Sequence, residues 1–183
     1  MDNQDIPGEL TRVLFTADDI DRQVRAIAAQ IERDYHGQDL LLVGILRGAI
    51  HFMADLTRAL RRHVEIDWMD ISSYGSGTKS SGVVRLLKDL DSDITGRNVL
   101  LVDEIVDSGL TLSWIQSSLL ARGPASVEIC TLLRKPEAQT MPVTARYVGW
   151  DIPDEFVVGY GLDFAERYRN LRCIGVLSPD VYA

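Results

Sequence analysis

Between Val99 and Trp114 the chain reads VLLVDEIVDSGLTLSW. A run of apolar residues leads into the carboxylates of Asp103, Glu104 and Asp107, and the small polar residues Ser108, Gly109 and Thr111 follow at once. Small residues at the start of a helix bind anions through backbone N–H groups. Carboxylates repel anions: at about 4 Å two like unit charges cost roughly 4 kcal/mol at an effective dielectric near 20. The two halves are compatible if one ligand carries both a phosphate and a sugar diol. Backbone amides from Ser108 to Thr111 would then take the phosphate. Asp103 and Glu104 would accept from the ribose 2′- and 3′-hydroxyls, and carboxylates also ligate magnesium. Asp107 would lie near the reacting carbon or an incoming base.

Two other readings compete. A lone Asp-Ser-Gly is by default a helix cap, since Asp and Ser favour helix N-termini; that does not account for Asp103 and Glu104 directly after a buried strand. An apolar run ending in Asp-Glu is also how a magnesium-holding strand of a P-loop triphosphatase looks. Such enzymes need G-x-x-x-x-G-K-[ST] opening a helix, and no such motif is present. In GSGTKSSG (75–82), Thr78 separates Gly77 from Lys79, and the stretch lies between two strand-like runs. By composition it reads either as a hairpin tip or linker, or as a lid over a site.

The elements that must position these residues follow from periodicity. TADDIDRQVRAIAAQIERDYHG has apolar residues at Ile20, Val24, Ile27, Ala28 and Ile31, which is helical spacing. Thr16 with Asp19 forms a variant capping box, and Gly37 is read as closing the helix. DLLLVGIL (39–46) is a continuous apolar run of the kind covered on both faces in a parallel sheet. RGA follows, then a helix in IHFMADLTRALRR with Ile50, Met53, Ala54 and Leu60 on one side. Stretches 64–74, 82–90, 99–102, 126–133, 145–150 and 172–177 read as strands. The acidic residues after Val102 read as a turn. Leu112, Ile115, Leu119 and Leu120 mark a helix stopped by Arg122-Gly123-Pro124. Strands alternating with helices predict an α/β fold, a mainly parallel twisted sheet flanked by helices. Ligands in such sheets bind beyond the carboxyl ends of the strands, where the acidic stretch lies.

Length and charge bound the rest. A chain of 183 residues fits one domain and can bury a real core. No apolar run reaches membrane-span length, and the acidic N-terminus MDNQDIPGEL is not a signal peptide. Cys130 and Cys173 sit singly in apolar stretches and read as buried small hydrophobes in a reducing cytoplasm. His36, His51 and His63 form no ligand spacing. The net charge of −8 disfavours non-specific nucleic-acid binding, which needs a basic face.

VLLVDEIVDSGLTL resembles the phosphoribosyl-diphosphate (PRPP) signature of the type I phosphoribosyltransferases. The other motifs narrow the likeness to the bacterial hypoxanthine-guanine phosphoribosyltransferases. ILRGA (45–49) is similar to their pyrophosphate loop and SSYGSGTKSSGVVRLLKDLD (72–91) to their mobile loop. LLRKP (132–136) is similar to the region of their base-contacting lysine, and DIPDEFVVGYGLDFAERYRNL (151–171) to the stretch that closes the purine site. The motifs keep the family's order from about the N-terminal helix to the C-terminus.

The resemblance implies a single domain over residues 1–183, with a core at about 38–150 and a small hood from N- and C-terminal segments, the latter about 151–183. It implies transfer of 5-phosphoribosyl from PRPP to hypoxanthine or guanine, with Mg²⁺ as cofactor, in a cytoplasmic homodimer or homotetramer that takes no nucleic acid or membrane as partner. Asp107 would accept the proton from purine N7. The PRPP ribose-phosphate site would be Asp103, Glu104, Asp107, Ser108, Gly109, Leu110 and Thr111. Pyrophosphate would meet Arg47, Gly48 and Arg169, with a cis peptide before Arg47. The purine would meet Lys135, Phe156, Val157 and Asp163: Lys135 donating to the 6-oxo oxygen, Phe156 stacking, Val157 offering backbone groups. Ser73 and Tyr74 would begin the mobile loop. Magnesium would be held by Asp163, with Glu104 and Asp103. The chain departs from the family in its Asp103-Glu104 order, where Glu-Asp is common, in Arg47, where Lys is frequent, and in Leu110, where some relatives have Lys or Arg. A transferase for xanthine or another base is the nearer rival. A regulatory nucleotide- or RNA-binding protein on the same fold is the farther one, and the acidic balance counts against it.

Overall fold

The computed structural model describes residues 1–73 and 84–182. In chain order the elements are β1 (Leu10–Phe15), α1 (Ala17–Asp34), β2 (Leu41–Leu46), α2 (Ile50–Ala59), β3 (Glu65–Ser73), β4 (Val84–Lys88), β5 (Asn98–Val106), α3 (Leu110–Leu120), β6 (Ser126–Arg134), β7 (Tyr147–Asp151), β8 (Val157–Val158), β9 (Ile174–Leu177) and α4 (Pro179–Tyr182). They form a six-stranded sheet in the order β4-β3-β2-β5-β6-β7 and a three-stranded sheet in the order β1-β9-β8. In the larger sheet only β4 runs antiparallel, against β3. The three-stranded sheet is antiparallel and joins the two ends of the chain, pairing Leu10 with Leu177.

Side-chain alternation along the buried strands sets the layers. Leu42, Leu100, Val102, Cys130 and Leu132 share a core with Ile20, Val24, Ile27, Ala28 and Ile31 of α1 and with Phe52, Met53 and Leu56 of α2. Leu41, Val43, Ile45, Val99, Leu101 and Ile129 pack instead with Leu112, Ile115 and Leu119 of α3. Both faces are covered, which is why these strands read as continuous apolar runs. Val157, Tyr160, Leu162, Ile174 and Val176 belong to the same cluster as α1 and α2, so the small sheet is packed onto the large one. Tyr160 Oη fastens that contact by donating to Asp55 Oδ2 of α2 at 2.6 Å.

Three local expectations need correction. The strand after Asn98 does not end at Val102. It continues through Asp103, Glu104 and Ile105 to Val106, because β6 goes on pairing with it as far as Val106 with Arg134. The capping box of Thr16 and Asp19 forms, but α1 ends at Asp34 with Tyr35 as its cap, two residues before Gly37. In α2 the buried residues are Phe52, Met53 and Leu56, while Ile50 at the first position is exposed. Strands β1 and β8 were not expected; each is held by β9 from far along the chain. Among the described residues, no helix is long and apolar enough to cross a membrane. Both cysteines are buried, and burial pushes the Cys130 thiol well above its ordinary value.

Candidate active site

The order of the large sheet reverses between β2 and β5: from that pair the chain crosses to β3 on one side and to β6 on the other. Parallel sheets open a crevice at such a switch point, beyond the carboxyl ends of the strands. Here that crevice is a cleft of about 510 Å³. Its walls are Arg47 and Gly48 after β2, Asp103 to Gly109 at the end of β5, Thr111 in α3, and Asp163 and Arg169 from the C-terminal segment. A second cavity of about 150 Å³ adjoins it, lined by Lys135, Phe156, Val157 and Leu162. Glu104, Ile105, Asp107 and Asp163 line both. The residues expected to meet a sugar phosphate and those expected to meet a planar base thus occupy neighbouring hollows, with Asp107 on the wall they share.

The turn into α3 is tightly constrained. Gly109 takes φ +80°, and a side chain there would press on the Met141 carbonyl oxygen at 2.8 Å. The amides of Thr140 and Met141 donate to Ser108 O at 3.0 and 3.1 Å, so the turn is tied from outside. No side chain of the N-cap residue satisfies the first amides of α3, and no acidic residue occupies its first turn. Leu110 N–H donates to Ser108 Oγ at 3.4 Å; the helix dipole leaves positive potential at the end that faces the cleft. Leu110 is half-buried at the start of α3 and is not among the cleft-lining residues.

The two carboxylates in β5 differ in environment. Asp103 is buried, and burial together with the neighbouring Glu104 charge pushes its carboxyl well above the usual carboxylate range. Glu104 Oε2 is buried with no hydrogen-bond partner. The Glu104 carboxylate lies against Gly48, where a methyl group would overlap it, and a methyl at Gly161 would overlap the Gly48 carbonyl. Two backbone segments and the Glu104 side chain therefore crowd together, and the peptide joining Leu46 to Arg47 there is cis, as expected.

Lys135 follows β6 directly. Its amide donates to Val106 O at 2.9 Å, and Arg134 beside it clasps Asp151 of β7 with both Nε and Nη2, at 2.7 and 2.9 Å. The backbone is thus held by strands on both sides, and the Lys135 side chain is only 7% exposed. Its ammonium lies 3.3 Å from Asp107 Oδ2. Phe156 is partly exposed and rests on Phe164 and Tyr182, with ring centroids 5.8 and 5.4 Å away.

At the other end of the cleft, Arg169 pairs with Asp163 at 2.9 Å and donates to Gly161 O, while its Nε is buried without a partner. Arg47 is exposed and pairs with Glu166 at 3.0 Å. Glu166 and Ile105 line the cleft and were not singled out from the sequence. Glu166 stood in a charged run that reads as a solvated face, and Ile105 as an ordinary strand residue. Ser73 ends β3, and Tyr74 and the 75–82 stretch lie outside the described residues. Among the described residues, no group of three or more His, Cys, Asp and Glu side chains is arranged to hold a metal by itself.

Comparison with known proteins bears on this arrangement. The family model described as the phosphoribosyl transferase domain matches residues 15–165. A hypoxanthine-guanine phosphoribosyltransferase of Mycobacterium tuberculosis is 53% identical over 182 residues, spanning 96% of this chain and 90% of that protein. One from Bacillus subtilis is 45% identical over 174 residues, spanning 95% of this chain and 97% of that protein. The crystal structure of a hypoxanthine phosphoribosyltransferase from Staphylococcus aureus superposes with a TM-score of 0.92 at 47% identity, covering 96% of this chain and 95% of the other.

Proposed function

The chain belongs to the phosphoribosyl transferase domain family, and from that premise we propose that it is a purine-salvage enzyme: it transfers 5-phosphoribosyl from PRPP to hypoxanthine or guanine, giving IMP or GMP and pyrophosphate. The observation that carries this reading is the shared wall. Asp107 borders both the larger polar cleft and the smaller hollow that Lys135 and Phe156 line.

In the reaction the bond from ribose C1′ to the pyrophosphate oxygen breaks, a bond from purine N9 to C1′ forms, and the N7 proton is lost. Asp107 accepts that proton. Its negative charge also favours the oxocarbenium-like character at C1′. The amides of Ser108 to Thr111 bind the 5′-phosphate, and Asp103 and Glu104 accept from the ribose hydroxyls. Lys135 donates to the 6-oxo oxygen; adenine presents an amino donor there, so the ammonium would face a donor instead of an acceptor. Phe156 stacks on the purine and Val157 offers backbone groups to its edge. Arg47, Gly48 and Arg169 meet the pyrophosphate. Arg169 and Arg47 exchange their carboxylate partners Asp163 and Glu166 for the leaving group.

Magnesium fits the carboxylates present. It keeps several waters and binds through one or two carboxylates plus substrate phosphates, so a protein-only triad is not required. The partnerless buried oxygen of Glu104 is a free acceptor of that kind. Asp163 would hold the ion at the pyrophosphate end, with Glu104 and Asp103 at the ribose end. When bound, the ion neutralises charge on the leaving pyrophosphate. We also propose a cytoplasmic homodimer or homotetramer, as the family resemblance implies.

The test is pyrophosphate release from PRPP with hypoxanthine, guanine, xanthine and adenine in turn, with and without magnesium. Release with hypoxanthine and guanine, dependent on magnesium and almost absent with adenine, is expected. Equal rates with adenine, or no release with any purine, would overturn the proposal.

A further inference from the structure

Lys135 has two carboxylate partners. Its Nζ lies 3.3 Å from Asp107 Oδ2 and also 3.3 Å from Asp154 Oδ1. Asp154 sits in the segment 152–156 that links β7 to β8. Its carboxylate neighbours are engaged elsewhere, Asp151 with Arg134 and Glu155 with Arg12. Among the described residues, Lys135 is the one side chain that Asp154 meets in a hydrogen bond or ion pair. The pair is lopsided: the Lys135 side chain is 7% exposed and that of Asp154 59%. Asp154 therefore reaches in from the surface toward a buried ammonium.

A buried ammonium needs an anionic partner throughout. If Asp107 takes the N7 proton, it becomes neutral and stops serving Lys135 at the moment the purine is committed. Asp154 takes no part in that transfer and remains beside the ammonium. The ammonium also has three donors. One to each carboxylate leaves the third for an acceptor in the hollow. We propose that Asp154 is a positioning residue: it holds the Lys135 ammonium against the 6-oxo edge of the base through turnover, and selection of 6-oxopurines depends on it. This deepens the functional reading above and rests on it.

The test uses the full-length protein and its Asp154→Ala and Asp154→Asn variants. It measures KM for hypoxanthine, KM for PRPP, and the inhibition constant of unsubstituted purine, which has no 6-oxo group, against hypoxanthine. For Asp154→Ala the hypoxanthine KM should rise about tenfold, as loss of one charge-assisted contact predicts. The PRPP KM and the inhibition constant of unsubstituted purine should stay within about twofold, because neither ligand uses the lysine contact. Asp154→Asn keeps an acceptor and should fall between the two. An unchanged hypoxanthine KM would overturn the proposal. So would an equal weakening of hypoxanthine and unsubstituted purine, which would make Asp154 a wall of the hollow and nothing more. A parent protein with no turnover at all would overturn the functional reading itself, an outcome separate from a variant indistinguishable from an active parent.

Discussion

Asp107 and Lys135 stand 28 residues apart in the chain and 3.3 Å apart in space. In the proposed reaction these opposite charges take opposite tasks on one purine, proton acceptance at N7 and donation at the 6-oxo oxygen. Asp107→Asn keeps the size of the side chain after β5 but cannot take the proton. It should lower kcat by about 10²–10⁴-fold, the usual worth of a positioned base, while equilibrium binding of PRPP changes little. Single-turnover kinetics beside a binding titration would check this, and unchanged turnover would remove the assigned role. Asp107 and Lys135 could be singled out from the sequence because each lies in a stretch that resembles a family motif. Asp154 and Glu166 were not, because an exposed carboxylate among charged neighbours has no local signature. What marks them is the cation each meets, Lys135 and Arg47, and only folding brings those together.

At the scale of elements, the site depends on where strands stop. Apolar periodicity located β2, β5 and β6 but ended β5 at Val102, since Asp103 and Glu104 break the apolar run. Pairing with β6 carries the strand four residues further, and a partner strand cannot be read from local composition. The opposite edge shows how a buried carboxylate holds a loop. Asp67 of β3 is buried, which alone would raise its carboxyl. The amides of Trp68, Ser92 and Asp91 donate to it at 2.8, 3.0 and 2.9 Å and hold it below the usual carboxylate range. A group whose folded-state value is depressed contributes stability above its ordinary value of about 3.9, and that contribution is lost as pH falls through the lower folded-state value. Denaturant midpoints should therefore fall as the pH is taken from about 5 to below 4. Asp67→Asn should cost about 1–3 kcal/mol at neutral pH and flatten the acid limb. An acid limb as steep in Asp67→Asn as in the parent would contradict this account.

The whole molecule places one ligand's parts on separate elements. In the proposed function, phosphate goes to the start of α3, ribose to the end of β5, pyrophosphate to the loop after β2, and base to the end of β6 and the segment before β8. The α/β class and most of the parallel sheet were legible from alternating strands and helices. The small sheet was not legible strand by strand: β8 has two residues, and β1 gains its partner only from β9, about 160 residues away. Yet that sheet carries Val157 to one cavity, and the turn after it brings Gly161 onto Gly48. The central proposal assigns the amides before and at the start of α3 to the 5′-phosphate and the carboxylates at the end of β5 to the ribose hydroxyls of one nucleotide. It is tested most directly by a crystal structure of the protein with GMP bound. The account predicts the 5′-phosphate oxygens at about 2.7–3.2 Å from the amides of residues 108–111, the ribose hydroxyls on Asp103 and Glu104, and the 6-oxo oxygen on Lys135 Nζ. A phosphate bound away from that turn, or a base that leaves Lys135 on its two carboxylates without contacting it, would contradict it.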